Sequence, residues 1–175
     1  EAHLHIQQTA LMLRERGVIL AVCSKNEDEI ARKPFKEHPD MLIREEHIAV
    51  FQANWSDKAS NIRAISEALS LGLDSMVFLD DNPAERKQVR DELPEVAVPE
   101  LPSDPALYVR TILAAGYFES INFSEEDRNR AGLYQANAKR VQLVNQYSDI
   151  NSYLKSLDME ISFKRFDKKN WPRIL

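Results

Sequence analysis

The sequence predicts an α/β fold with a mostly parallel sheet. Three apolar runs of strand length, at residues 18–23, 76–79 and 96–98, alternate with longer segments of helical spacing. None of these runs alternates between polar and apolar residues, as a strand with one solvated face would. Such runs are typical of strands covered on both faces of a parallel sheet. The pattern therefore predicts a sandwich in which helices cover the sheet.

Helices are predicted before, between and after these runs. Their ends carry residues typical of helix termini, such as Ser56 at an N-cap, Pro83 at a first helical position and Gly72 after a last turn. The predicted helices span residues 2–16, 24–35, 56–71, 83–93 and 104–115, and residues 41–43 predict a short strand.

The pattern changes after residue 118. Two further helices are predicted at residues 124–147 and 150–157, followed by a half-exposed strand at residues 159–163. We expect residues 1–118 to form the α/β core. We expect residues 119–175 to form a helical connector and the beginning of a second, α+β domain.

Composition excludes several classes of partner. A net charge of -5 in 175 residues argues against a general nucleic-acid or anionic-membrane surface, because both select basic patches. No run approaches the roughly 20 apolar residues that span a bilayer. The single cysteine, Cys23, has no partner for an internal disulfide, which predicts a reducing, cytoplasmic location.

Polar residues with phosphate chemistry stand where the predicted strands end or helices begin. Ser24 and the pair Asp80-Asp81 follow apolar runs, and Lys58 opens a helix. Ligands of open parallel sheets bind outside the carboxyl ends of the strands, and helix N-termini there favour anions. A hydroxyl and an ammonium suit a phosphoryl group, and two carboxylates suit Mg²⁺. These residues predict a phosphoryl-transfer site.

Each residue also has a purely structural interpretation. Ser24 could cap a helix, and Lys58 could be a solvated helix lysine. Asn82 and Glu85 fit a capping box at the start of a helix. Asp80 is left unexplained, because a carboxylate at the end of an apolar strand is costly unless it meets a cation.

Three segments resemble motifs of the haloacid dehalogenase (HAD) superfamily of phosphatases. The second motif is similar to residues 18–26, the third to residues 54–58 and the fourth to residues 77–86. Residues 96–105 and 125–137 resemble the FkbH-like subfamily, of the IIIC type. The resemblance implies a Rossmann-like, three-layer HAD sandwich, followed by an acyltransferase-like domain that would begin near Met159.

The resemblance also implies roles for individual residues. It implies that Ser24, Lys25, Asn26 and Lys58 bind the phosphoryl group, with Ser24 and Lys58 catalytic, and that Asp80 and Asp81 hold Mg²⁺. Related proteins take a glyceryl unit from 1,3-bisphosphoglycerate, remove its phosphate and pass the unit to an acyl carrier protein through a thiol. Cys23 is the only candidate thiol in this sequence, and the alternative is a small buried apolar residue.

One motif of the family is absent. HAD phosphatases form an aspartyl-phosphate on the first carboxylate of an Asp-x-Asp motif, and none occurs in these 175 residues. Since the sequence begins in the helix expected after that strand, we expect loss by truncation, cleavage or disorder, and a fragment without turnover.

Three other functions are compatible with parts of the pattern. A signalling receiver domain uses similar groups, but its acidic pair comes first and its lysine last, the reverse of the order here. A phosphatase of polysaccharide biosynthesis and a non-catalytic module that docks a carrier protein are the remaining alternatives.

Overall fold

The computed structural model describes residues 1–119, 129, 132–138 and 140–141. Residues 132–138 are helical. Short 3-10 turns precede β2, residue 76 and α5. The helices and strands along residues 1–119 are α1 (Ala2–Glu15), β1 (Leu20–Ser24), α2 (Asp28–Glu37), β2 (Ile48–Ala53), α3 (Lys58–Leu69), α4 (Pro83–Glu92) and α5 (Tyr108–Ala114).

Strand pairing is parallel throughout the part of the chain that the structure describes. In β1 and β2, Ser24 lies opposite Ala53, and the register shifts between Leu20 and Ala21. A second parallel pairing joins Val77 to Ala97, next to which the Phe78 amide donates to the Ala97 carbonyl at 2.8 Å. The predicted α/β class with parallel strands is therefore confirmed.

Helices cover both faces of β2. Val50 packs with Ile65 and Leu69 of α3. The next residue, Phe51, meets Phe35 of α2 edge-to-face, with ring centroids 5.3 Å apart. Because successive strand residues point to opposite faces, α2 and α3 lie on opposite sides of β2. The sequence predicts that β1 is also covered on both faces, but Ala21 of β1 is exposed.

Helix α3 joins the two strand pairs into one core. Its Ala59 and Ile62 pack in one apolar cluster with Phe78, Val89, Leu93 and Val96. Its Ile65 and Leu69 pack in a second cluster with Val50 and Ala138. Helix α3 therefore contacts both the β1–β2 pair and residues 76–98. Each large apolar side chain that it buries contributes on the order of 2 kcal/mol.

The predicted short strand at residues 41–43 is wrong. The backbone amides of Leu42 and Ile43 donate to the side-chain oxygen of Gln7 in α1, at 2.8 and 3.2 Å, and form no ladder. The strand in this region is β2, an apolar run that follows Glu45, Glu46 and His47 and that sequence analysis left unassigned.

The predicted helices agree with the structure better than the predicted strands do. The helices predicted at residues 2–16, 56–71, 83–93 and 104–115 are each present within a few residues, the last as a 3-10 turn followed by α5. Helical residues 132–138 lie within the helix predicted at 124–147. The elements predicted at residues 150–157 and 159–163 lie outside the described residues. Among the described helices, none is long and apolar enough to cross a membrane.

Candidate functional site

Ser24 occupies the carboxyl end of β1. Helix α2 begins only at Asp28, with Glu27 at its N-cap, so the capping interpretation of Ser24 is wrong. Within the described ranges, no group accepts from or donates to the Ser24 hydroxyl, although the side chain is only partly exposed. The hydroxyl is therefore free to bind a ligand at this edge of the strand pair.

Lys58 is the first residue of α3, and its side chain turns inward. Asp57 caps the helix instead of the predicted Ser56, and it accepts from the Ser60 amide at 2.7 Å. The Lys58 side chain is only 10% exposed. Its ammonium donates to the Cys23 carbonyl at 2.8 Å and lies 3.0 Å from Asp80 Oδ2. The solvated-lysine interpretation is therefore wrong.

The turn after residue 79 holds Asp80 with both of its carboxylate oxygens in use. Oδ1 accepts from the Asn82 amide at 2.9 Å, and Oδ2 faces Lys58. Asn82 in turn accepts from the Ala84 amide and caps α4, as the sequence predicts. A carboxylate at the end of an apolar run needs a cation to offset its desolvation, and Lys58 is that cation for Asp80.

Glu85 does not close the predicted capping box. Its Oε1 pairs with the Lys25 ammonium at 2.9 Å, which joins the end of β1 to the first turn of α4. The hydrogen bond to Glu85 raises the pKa of Lys25. The second carboxylate oxygen of Glu85 is buried and accepts no hydrogen bond within the described part of the chain.

Asn26 lies beside these groups, and its side-chain oxygen accepts from the neighbouring Glu27 amide at 2.9 Å. Its side-chain NH₂ makes no hydrogen bond with the residues that the structure describes. The structure thus places Ser24 at the last position of β1 and Lys25 and Asn26 directly after it, where the Lys25 side chain pairs with Glu85 of α4.

Asp81 is the second carboxylate of the acidic pair. It is exposed, and in the described region its side chain makes no hydrogen bond or ion pair. No group of three or more histidine, cysteine, aspartate or glutamate side chains in that region is arranged to hold a metal. One free carboxylate next to an engaged one fits Mg²⁺, which keeps several water or phosphate ligands, and does not fit an all-protein metal cage.

Cys23 precedes Ser24 and faces the core. It packs against both apolar clusters, and its thiol lies 3.8 Å from the Lys58 carbonyl. Burial raises its pKa from 9.0 to about 11, despite the opposing effect of the nearby Lys58 charge. A thiol in this state is protonated near neutral pH, which supports the packing interpretation of Cys23 over a nucleophilic one.

The structure brings together groups that are far apart in sequence. The Lys58 ammonium contacts the carbonyl of Cys23, the residue before Ser24, and the carboxylate of Asp80, which Asp81 follows in the chain. Sequence analysis missed the ionic role of Glu85, because its position also satisfies a helix-capping pattern. A signal was present, since a capping box uses one carboxylate oxygen and leaves the other to be satisfied.

Comparison with known proteins identifies a related domain. The chain is similar to a crystal structure of the N-terminal part of the protein BF1531 from Bacteroides fragilis, which contains a phosphatase domain complexed with Mg. The TM-score is 0.69 and the sequence identity 48%, over 70% of this chain and 33% of that one. No family model matches the chain, and no curated protein matches it. The chain is therefore related to a phosphatase domain and spans about a third of the length of the matched chain.

Proposed function

We propose that this chain is part of a Mg²⁺-dependent phosphatase or phosphoryl transferase. The observation that carries the proposal is the ion pair between Lys58 and Asp80, 3.0 Å apart with both side chains only 10% exposed. A buried ion pair contributes little net stability, because its desolvation cost offsets its attraction. The pair lies at the carboxyl end of β1, where Lys58 donates to the Cys23 carbonyl next to Ser24, and strand ends of this kind hold ligands in parallel sheets.

Each group has a role that suits its surroundings. The Ser24 hydroxyl and the Asn26 NH₂ donate to phosphoryl oxygens, and the Lys58 ammonium neutralises charge that develops on them. Lys25, one-third exposed, provides a second cation at the rim. Mg²⁺ bound at Asp81 would supply further charge neutralisation. Asp80 orients Lys58 and belongs to the same proposed metal site.

The resemblance to HAD phosphatases supports a finer proposal. The nucleophile would be an aspartate that forms an aspartyl-phosphate in the full-length protein, within a three-layer sandwich. The substrate would be 1,3-bisphosphoglycerate and the acceptor of the glyceryl unit an acyl carrier protein, in the cytosol. A phosphatase of polysaccharide biosynthesis is the alternative assignment.

Transfer through a Cys23 thioester stays a prediction. The burial and the raised pKa of Cys23 give it no support, because the thiolate is the nucleophile in such a step. Without this thiol, the glyceryl unit would pass through another thiol of the full-length protein or directly to the acceptor, with phosphate as the leaving group. Intact-mass measurement of wild type and Cys23→Ala after incubation with a glyceryl donor separates these routes.

The test of the phosphatase proposal is phosphate release from acetyl phosphate by the full-length protein, with and without Mg²⁺. Lys58→Ala and Asp80→Asn should each lower kcat on the order of 10²-fold or more, because each removes a preorganised charge or its orienting partner. Matched controls are Lys87→Ala and Asp91→Asn, which break an exposed ion pair of α4.

The controls should retain wild-type rates, because an exposed pair of this kind contributes at most about 1 kcal/mol to stability. Full activity in both Lys58→Ala and Asp80→Asn would remove the assignment. So would a wild-type rate that does not depend on Mg²⁺.

A further inference from the structure

Arg86, in the second turn of α4, is one of the few charged residues buried in the described structure, at 3% exposed. Its Nη1 donates to the backbone carbonyls of Asp80 and Asp81, at 2.8 and 3.0 Å. Its Nη2 meets the Glu100 carboxylate and, at 3.5 Å, the Leu101 carbonyl. One guanidinium thus links the acidic turn, helix α4 and the segment after residue 98.

The ionic partner of Arg86 does not explain this burial. Glu100 is 66% exposed, and solvent screens a pair of that kind. Burying a cation costs several kcal/mol unless its donors are satisfied. Here the Nε is buried and, within the residues that the structure describes, donates to nothing. The carbonyls of the acidic turn are therefore the main hydrogen-bond acceptors that compensate the buried charge.

Simple attachment of α4 to the segment after residue 98 does not require Arg86. Arg90, one turn later, donates twice to the Val98 carbonyl, at 3.1 and 2.9 Å, and pairs with the other Glu100 oxygen. The contact that Arg86 adds is the one to the acidic turn, which Arg90 does not touch.

We propose that Arg86 is a positioning residue that fixes the backbone of the acidic turn and thereby the directions of the Asp80 and Asp81 carboxylates. Holding these two successive carbonyls fixes both peptide planes that flank the Asp81 Cα, and so the Asp81 Cα–Cβ direction, and it also fixes the plane that follows Asp80. Asp80 then points toward Lys58, and Asp81 points away from the protein. The metal part of this inference rests on the proposed function, whereas the part concerning the turn does not.

The first test measures the turn without a metal. Hydrogen exchange is compared in the 175-residue chain for wild type, Arg86→Lys, Arg86→Gln and the control Arg90→Gln. The reporters are the Asn82 and Ala84 amides, which bond to side chains inside the turn at 2.9 Å. Exchange at both should rise about tenfold or more in the Arg86 variants, because local opening of the turn becomes easier. It should stay near the wild-type rate in Arg90→Gln.

The second test measures the Mg²⁺ concentration that gives half-maximal phosphate release in the full-length protein. The Arg86 variants should need about 10- to 100-fold more Mg²⁺, the usual cost of losing a residue that orients a metal ligand. Arg90→Gln should need the wild-type concentration. If the wild type shows no Mg²⁺ dependence, the proposed function fails and hydrogen exchange alone decides the role of Arg86.

Wild-type exchange at Asn82 and Ala84 in both folded Arg86 variants would overturn the proposal. Equal effects of Arg86→Lys and Arg90→Gln would also overturn it, since the shared partner Glu100 would then be responsible. Loss of the folded state in both Arg86 variants would count against it as well, because Arg86 would then serve the fold as a whole.

Discussion

At the scale of single residues, the site depends on where charges are desolvated. The Lys58 ammonium has the Cys23 carbonyl at 2.8 Å, Asp80 at 3.0 Å and the Phe78 ring 5.9 Å below it. An ammonium can donate three hydrogen bonds, so capacity remains for a phosphoryl oxygen. Lys58 is buried together with its partner Asp80. Burial also raises the pKa of the adjacent Cys23 thiol, which therefore stays neutral.

Cys23 gives the clearest prediction of pH dependence. Its pKa is raised by burial to about 11, so at pH 7 about one molecule in 10⁴ carries the reactive thiolate. Alkylation of the folded chain by iodoacetamide should be slow at pH 8 and should still be increasing at pH 10. The urea-unfolded chain, in which this is the only cysteine, should reach half of its maximal rate near pH 9.

The same shift predicts how stability changes with pH. Since the folded state holds the thiol proton more tightly than the unfolded state, this contribution is fully present below about pH 9 and decreases toward about pH 11. Cys23→Ala should remove that part of the alkaline loss. A half-maximal rate of alkylation near pH 9 in the folded chain would show that Cys23 is not desolvated.

At the scale of elements, helix α3 ends with a residue in an unfavourable backbone conformation. Ser70 has φ 53°, in the left-handed region, and its amide bonds to the Glu67 carbonyl while the Leu71 amide bonds to that of Ser66. This is the Schellman arrangement, in which glycine is the usual residue at the left-handed position. The sequence suggested a stop at Gly72, two residues further on.

Ser70→Gly should therefore stabilise the chain. A non-glycine residue in this conformation costs roughly 1–2 kcal/mol, and glycine loses part of that gain through the entropy of its unfolded state. We expect a net increase of about 0.5–1 kcal/mol in the free energy of unfolding, measured by urea denaturation. Ser70→Ala, which keeps the strain, is the matched control, and an equal increase in both variants would contradict the explanation.

The elements also show what local sequence could and could not predict. Helix α4 was predicted nearly to the residue, because Asn82 and Pro83 define its start without help from the rest of the chain. Strand β2 was missed, because its identity depends on pairing with β1 and on covering by α2 and α3. The strand predicted at residues 41–43 is wrong because of another long-range contact. Gln7, about 35 positions away, accepts hydrogen bonds from the amides that a strand would use.

At the scale of the whole molecule, the candidate site was more predictable than the sheet. The sequence alone places Ser24 and Asp80 at strand ends and Lys58 at the start of a helix, and ligands of parallel sheets bind at such positions. The contacts that Glu85 and Arg86 make with this region could not be predicted from the sequence. The pairing of Glu85 with Lys25 spans 60 positions, and the contacts of Arg86 depend on a turn whose shape no local pattern specifies.

Residues 132–138 contribute to the core of the described structure. Residues up to Val141 belong to one compact unit, and within it Ala138, 1% exposed, packs with Val50, Ile65 and Leu69. From the same helical stretch, Gln135 donates to the Ile48 carbonyl at the start of β2, at 3.1 Å. The helix predicted as part of a connector therefore supplies part of the core at residues 132–138.

Enlarging Ala138 tests this directly. Ala138→Leu should lower the free energy of unfolding by about 1–3 kcal/mol, because the added methylenes enter a closely packed cluster and force its neighbours to move. Ala136→Leu introduces the same change at an exposed position of the same helical stretch and should alter stability by no more than about 0.5 kcal/mol. Urea denaturation of both variants, in the 175-residue chain, provides the comparison. If the two substitutions have equal effects, residues 132–138 do not pack on β2 and α3, and the core is complete without them.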